Sequence, residues 1–349
     1  MAHIIIIGGG IIGTTSAYYL LQQGHQITII DKGDMLNGCS YGNAGYVSPS
    51  HFVPLAAPGI VKQGLKWMAN SRSPFYVQPR LNRNLFNWGL QFIKSATKAH
   101  VDASAIPLRD ISWLSKRLYQ ELSHRDGFSF FYEEKGMLEF FNTEANAHHG
   151  EQTVATATQL GLTARLLNKE EVQQMEPALE MDILGAVYFE DDAHMYPNKL
   201  MTDMITHLRS QGVTFKLHEE VRSFIKEKNN IKGVQTNASS YLGDEFVLAG
   251  GAWSGEIAAT LGLRIPLVGG RGYSLTYEDL PFKISRPIIL SEARVALTPM
   301  ASNKIRMGGT MEITGLRTPP RMNRVIGILD AVKKYFPAAG IPFPEKERI

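Results

Sequence analysis

A glycine turn between an apolar run and a helical pattern constrains this chain more than any other feature. Residues 4–7 are four isoleucines, and they lead directly into Gly8-Gly9-Gly10-Ile11-Ile12-Gly13. A helical stretch over 14–23 follows, with Ala17, Leu20 and Leu21 at helical spacing and Gly24 as its stop. A second apolar run, 27–30, closes on Asp31. Strand, glycine turn, helix, strand and acid, in that order, make a dinucleotide-binding βαβ unit. Gly8 lets the chain turn tightly. Gly10 leaves the backbone open to a pyrophosphate, and Gly13 lets the helix pack close to the strands. The helix N-terminus offers free N–H groups and a partial positive charge to phosphates. Asp31 is placed to accept hydrogen bonds from a ribose diol. The competing reading is a glycine-rich turn in an ordinary α/β sheet, and the full context favours the nucleotide.

At 349 residues the chain can bury a large core and is expected to hold two domains. Its net charge of +3 is small for this length and no block of consecutive Lys or Arg stands out, which argues against nucleic acid as a partner. A single cysteine, Cys39, excludes an intrachain disulfide and suits a reducing, cytoplasmic compartment. The first apolar run is too short for a signal peptide, and nothing reaches the length of a membrane span. None of the ten histidines sits in a metal-ligand pattern; His148-His149 lies on an expected exposed helix, so no metal is expected.

After Asp31 no third strand follows at once. Instead comes a small-residue loop, Asn37-Gly38-Cys39-Ser40-Tyr41-Gly42-Asn43-Ala44-Gly45, then Tyr46-Val47-Ser48-Pro49-Ser50-His51. Such a loop can lay backbone N–H groups along an extended cofactor. A helix is expected over 59–70. The segment 62–88 mixes aromatics with bases, among them Trp67, Arg72, Tyr76, Arg80, Arg83, Phe86 and Trp88. It reads either as a peripheral membrane contact or as packing against the protein body. Helices are expected over 106–123, 144–160 and 198–210, and a hairpin over 128–132 and 137–141. Strands are expected at 186–189, 213–217, 221–225, 231–236 and 245–248, and again at 273–276, 295–298 and 304–307. Leu248-Ala249-Gly250-Gly251-Ala252-Trp253 forms a second strand–glycine–helix junction. Asp191-Asp192 reads as a solvated turn. The expected organisation is a discontinuous Rossmann-like nucleotide domain over 1–70 and 190–262. An inserted α+β substrate domain with a mixed or antiparallel sheet fills 71–189 and 263–349.

The runs Cys39-Ser40-Tyr41-Gly42-Asn43-Ala44-Gly45, Ala56-Ala57-Pro58-Gly59, Leu65-Lys66-Trp67-Met68, Arg271-Gly272-Tyr273-Ser274 and Ile305-Arg306-Met307-Gly308-Gly309-Thr310-Met311-Glu312 carry a resemblance. The chain resembles the D-amino acid oxidase-like group of FAD enzymes, which includes glycine and sarcosine oxidases. Within that group it is most similar to the small subunits of bacterial D-amino acid dehydrogenases. The resemblance implies non-covalent FAD. It places Gly8, Gly10, Ile11, Ile12 and Gly13 at the pyrophosphate, Asp31 at the adenosine ribose, and Lys32 and the backbone of Val221 at adenine. Cys39, Ser40, Asn43, Ala44 and Gly45 would follow the cofactor toward the flavin, with Gly250, Gly251 and Trp253 flanking it. It also implies oxidative deamination of an amino acid, with the Cα hydride passing to the flavin and the imino acid hydrolysing to a 2-oxo acid and ammonia. The acceptor of the electrons, a respiratory quinone or dioxygen, is left open, and so is a peripheral place on the inner face of the cytoplasmic membrane.

One departure bears on activity. The Gly-x-Arg-Pro run whose arginine grips the substrate carboxylate in the family, and a later glycine-rich turn, have no counterpart in these 349 residues; Arg348 does not match. His51, Tyr273 and Arg294 are the substrate-side candidates that remain, with Arg271 beside Tyr273. The alternatives are a glycine- or sarcosine-type amine oxidase of the same fold, an FAD-binding remnant without turnover, and an NAD-dependent dehydrogenase.

Overall fold

Four consecutive isoleucines cannot alternate between core and solvent, so the strand they form must be covered on both faces. That is the place of β1 (His3–Ile7) in the computed structural model, which describes residues 1–345 and 349. Arg348 lies outside the described residues. β1 is paired in parallel with β2 (Gln26–Ile30) on one side and with the strand Glu245–Leu248 on the other. The strand Thr214–Lys216 extends the sheet beyond β2, so all four strands run parallel. α1 (Ile11–Gln22) connects β1 to β2 and buries Gly13, Thr14, Ala17 and Tyr18. A three-stranded antiparallel sheet, Val221–Glu227, Asn230–Thr236 and Ser240–Leu242, adds Val221 and Val234 to a core with Ile5, Ile7 and Ile30.

The chain divides into two compact units. The first holds residues 1–43, 126–130 and 197–269; the second holds 44–125, 131–196 and the chain from 270 onward. These boundaries differ from those expected at 70 and 190. Tyr46–Val47 pairs with Ala193–His194, and the helix Ile60–Met68 lies against Phe75–Val77, so 44–70 belongs with the second unit.

Among the described residues, the second unit is built on an eight-stranded sheet. Most neighbours are antiparallel; Ile288–Leu290 with Met137–Phe141, and Lys304–Ile313 with Phe75–Val77, are parallel. Sequence reasoning missed the helix Met322–Tyr335, which places Val325, Ile328, Leu329 and Val332 in the core with Leu275, Leu297 and Met307 of the sheet. The hairpin expected over 128–132 and 137–141 does not form. Phe128 and Phe130 are buried in the first unit, where the Ser129 N–H donates to Asp203 Oδ2 at 2.8 Å. Met137–Phe141 instead pairs with Gly185–Phe189. The helix expected over 106–123 begins earlier, at Lys98, because Thr97 caps it by accepting from the His100 N–H at 3.2 Å.

Candidate functional site

The glycine turn is built by contacts that exclude any side chain. Gly8 adopts φ +105°, and a Cβ there would lie 2.4 Å from the Ala249 carbonyl oxygen. A Cβ on Gly13 would lie 1.9 Å from the Gly8 carbonyl oxygen, so only glycine lets α1 start this close to β1. Gly10 is the N-cap of α1 and has no side chain to close the helix end. The second glycine junction meets the first: the Ala249 N–H donates to the Ile7 carbonyl at 2.8 Å.

Polar groups converge on this turn. Asp31 Oδ2 accepts from the Gly9 N–H at 2.7 Å and Oδ1 accepts from the Gly33 N–H at 2.8 Å. The carboxylate therefore ties the end of β2 to the turn, and each oxygen keeps lone-pair capacity for a further donor. Ser40, on the single helical turn Cys39–Gly42, accepts from the Ile11 N–H at 2.8 Å. Asn43 Nδ2 donates back to the Ser40 carbonyl at 2.9 Å. The Lys32 ammonium sits 3.2 Å from the centre of the Trp253 ring. Val221 opens its strand opposite Thr236 with its side chain buried. The Cys39 thiol is free and exposed. A helix N-terminus above a glycine turn, with its first N–H on the Ser40 hydroxyl and an acid at the mouth, fits a dinucleotide pyrophosphate and ribose.

Gly8, Gly10, Ile11, Ile12, Gly13, Asp31, Lys32, Ser40, Gly250, Gly251 and Trp253 all lie in the first unit, whereas Ala44 and Gly45 fall in the second. The substrate-side candidates also lie there: Tyr273 pairs with Gly309, a Cβ on which would lie 3.3 Å from the Arg294 carbonyl oxygen, and His51 lies beside Asp192. The Tyr273 hydroxyl is in the core. It donates to Glu312 Oε2 at 2.7 Å and accepts from the Arg321 N–H at 2.7 Å. Glu312 is fully buried and pairs with Arg324 Nε at 3.1 Å, and Arg324 Nη1 donates to the Ser73 carbonyl at 2.6 Å. This network joins strand and helix, so Tyr273 has a structural place rather than an open one. Arg271 is bonded to the Thr318 carbonyl. Arg294 is exposed in a turn at φ +52°.

His51 is exposed beside a carboxylate that sequence reasoning placed wrongly. Asp192 is not on a solvated turn; it has no exposed surface. Its Oδ1 accepts from the Ser50 N–H at 3.0 Å and its Oδ2 from the Ser50 hydroxyl at 2.6 Å. The Ser50 hydroxyl is 3.4 Å from His51 Nδ1. Burial pushes the Asp192 carboxyl up to about 6, against the opposing pull of Ser50 and of His51. Two residues on, burial drives His194 down to about 4, partly offset by Glu133 at 3.4 Å. The only local signal for a buried Asp192 is its position between two apolar strands; its partner is 142 residues away.

Comparisons with known proteins agree with this geometry. A family model described as FAD dependent oxidoreductase (DAO) matches residues 3–347. A D-amino acid dehydrogenase of Helicobacter pylori is 31% identical over 314 residues, covering 89% of this chain and 74% of that protein. One from Bradyrhizobium diazoefficiens is 28% identical over 347 residues, covering 97% and 81%. Among solved structures, glycine oxidase from Bacillus cereus superposes with a TM-score of 0.71 at 19% identity, over 97% of this chain and 79% of that one. L-proline dehydrogenase from P. horikoshii superposes with a TM-score of 0.65 at 19% identity, over 97% and 77%. With its glycine turn, Asp31 and mixed second sheet set beside a match over almost its whole length, the chain belongs to the family of FAD-dependent oxidoreductases of the DAO type.

Proposed function

We propose that this protein oxidises a D-amino acid to the imino acid, which hydrolyses to a 2-oxo acid and ammonia. The observation that carries the reading is the 31% identity, over 89% of the chain, to a protein named D-amino acid dehydrogenase. FAD, when bound, supplies the hydride acceptor. The chain's own part is to bind and orient. Gly8, Gly10, Ile11, Ile12 and Gly13 hold the pyrophosphate, with the Ser40 hydroxyl at the same helix end, 2.8 Å from the Ile11 N–H. Asp31 takes the ribose diol on its remaining lone pairs, already fixed by Gly9 and Gly33. Lys32 and Val221 stand at the adenine end, and Trp253, with Lys32 on its face, flanks the same end of the turn. Ser40 and Asn43 hold the helical turn that carries Cys39 beside α1. All of these are hydrogen bonds and packing, so the cofactor is held non-covalently.

The test is to reconstitute the chain with FAD and screen D- and L-amino acids, glycine and sarcosine with an artificial electron acceptor and with dioxygen. The reading expects turnover of at least one D-amino acid with the artificial acceptor, faster than with dioxygen. Turnover confined to glycine or sarcosine with dioxygen overturns it. Acid precipitation should release all the flavin into the supernatant; flavin retained in the pellet would mean a covalent bond.

A further inference from the structure

Asp192 is a buried carboxylate whose ionisation costs the fold stability, because desolvation outweighs the hydrogen bonds it receives. A group so placed points to a task other than stability. Its setting is rigid. The Asp192 carbonyl accepts from the Gly136 N–H at 3.0 Å, and Ala193–His194 pairs with Tyr46–Val47. The Met195 N–H donates to the Gly45 carbonyl at 2.9 Å. The segment 45–52 is thereby strapped along 192–195 and ends on the buried Phe52. Asp192, Ser50 and His51 all belong to the second unit. The titratable groups that face Asp192 are His51 and Tyr46, whose phenol burial pushes up with a further push from Asp192. Glu133, Lys135 and Arg286 face His194 beside it. The protons along Asp192, Ser50 and His51 can be assigned. The Ser50 hydroxyl has one proton and gives it to Asp192 Oδ2 at 2.6 Å. Ser50 Oγ can then only accept from His51 Nδ1, 3.4 Å away, so a neutral His51 carries its hydrogen on Nδ1 and keeps the lone pair on Nε2. Hydrogen bonds of this kind are often long until a ligand binds and tightens them. His51 itself is exposed, so Nε2 is open to a ligand.

We infer that Asp192 and Ser50 are positioning residues that hold His51 with Nδ1 toward Ser50 and Nε2 outward, and that Nε2 accepts a proton from the ammonium group of an amino-acid substrate. In this step an N–H bond of the ammonium breaks, its electron pair stays on the nitrogen, and the proton forms an N–H bond at Nε2. Nothing is oxidised. The neutral amine is the form that can lose a hydride from Cα, because its lone pair makes the C=N bond of the imino acid. The proton transfer rests on the amino-acid reading above; the positioning of His51 does not.

The full chain, with its histidine nitrogens isotope-labelled, is studied by NMR at about pH 8, above the ordinary histidine range. His51 is assigned by the signal that His51→Gln removes. The wild type is expected to show the Nδ1–H tautomer. In Asp192→Asn the amide keeps its oxygen on the Ser50 N–H, so its NH2 donates to Ser50 Oγ and frees the Ser50 proton for Nδ1. The tautomer should then invert to Nε2–H, and Ser50→Ala should also lose the Nδ1–H preference. An Nε2–H tautomer in the wild type, or one that neither variant changes, overturns the positioning. The FAD-loaded enzyme is then assayed with the amino acid that the screen above turns over fastest. His51→Gln should lower kcat/KM at least tenfold at unchanged flavin content and abolish the fall of kcat/KM at low pH, and Asp192→Asn should also lower kcat/KM. An unchanged kcat/KM in His51→Gln overturns the proton transfer while the amino-acid reading stands. If no amino acid of the panel is turned over, that reading and the proton transfer fall together, and the tautomer still decides the positioning.

Discussion

Asp192 shows how one buried carboxylate makes stability depend on pH. Its folded pKa of about 6 lies above the ordinary aspartate value, because burial costs more than the Ser50 hydrogen bonds return. The group therefore adds stability that is full below about pH 4 and is lost as pH rises through about 6. His194 acts in the opposite direction. Its folded value of about 4 lies below the unfolded one, so its contribution is present above about pH 6.5 and lost as pH falls through about 4. The two oppose each other over the same window, and the wild-type chain should show a shallow pH dependence there. Asp192→Asn should unmask His194: stability by urea denaturation should rise from pH 4 to 6 by more than in the wild type, and the variant should gain on the order of 2 kcal/mol relative to wild type at pH 7.5. The glycine turn makes a sharper prediction. Gly13→Ala sets a Cβ 1.9 Å from the Gly8 carbonyl and must displace α1. It should weaken FAD binding at least tenfold in a flavin fluorescence titration, whereas Gly24→Ala, with no atom near its Cβ, should leave binding intact despite its strained φ.

The elements divide by how local their causes are. β1, α1 and β2 are legible because unbroken isoleucine runs and a glycine turn state both the strand type and the connection. The helix Met322–Tyr335 was not read, although its apolar residues recur at helical spacing. Its meaning lies in Arg324, which reaches Glu312, Ser73 and the face of Tyr76 at 5.0 Å. Nothing in a window of sequence shows an arginine to be 1% exposed. Removing one partner of such a pair leaves an uncompensated buried charge. Arg324→Met should therefore cost about 3–5 kcal/mol by urea denaturation. Tyr273→Phe, which leaves one Glu312 oxygen and the Arg321 N–H short of a partner, should cost about 1–3 kcal/mol. The false hairpin at 128–141 has a related cause. Two adjacent apolar runs read as partners, but Phe128 and Phe130 contribute to the core of one unit and Met137 to that of the other.

At the scale of the whole molecule, the chain interleaves its two units, since the first is assembled from three separate stretches. The residues placed around the glycine turn all lie in that first unit, so FAD should stabilise the first unit directly. At a free concentration 100 times its dissociation constant, FAD should add about 2.7 kcal/mol, read as a rise in the melting temperature that grows with the logarithm of FAD concentration. Asp31→Ala should cut that rise while the same buffer and temperature ramp serve as control, because it removes the anchor of Gly9 and Gly33 together with the ribose acceptor. NAD at the same concentration should give no comparable shift.

The sequence by itself determined the βαβ unit and the residues of its turn, because these depend on local strings: isoleucine runs, glycines at fixed offsets and an acid at a strand end. It also carried the family resemblance, in short runs spread from Cys39–Gly45 to Ile305–Glu312. Only the tertiary structure decided that Asp192 is buried against Ser50 and that Tyr273 belongs to a core network with Glu312 and Arg324. Those facts depend on partners 12 to 142 residues away, and burial at such distances is a property of the packed chain rather than of any segment of it.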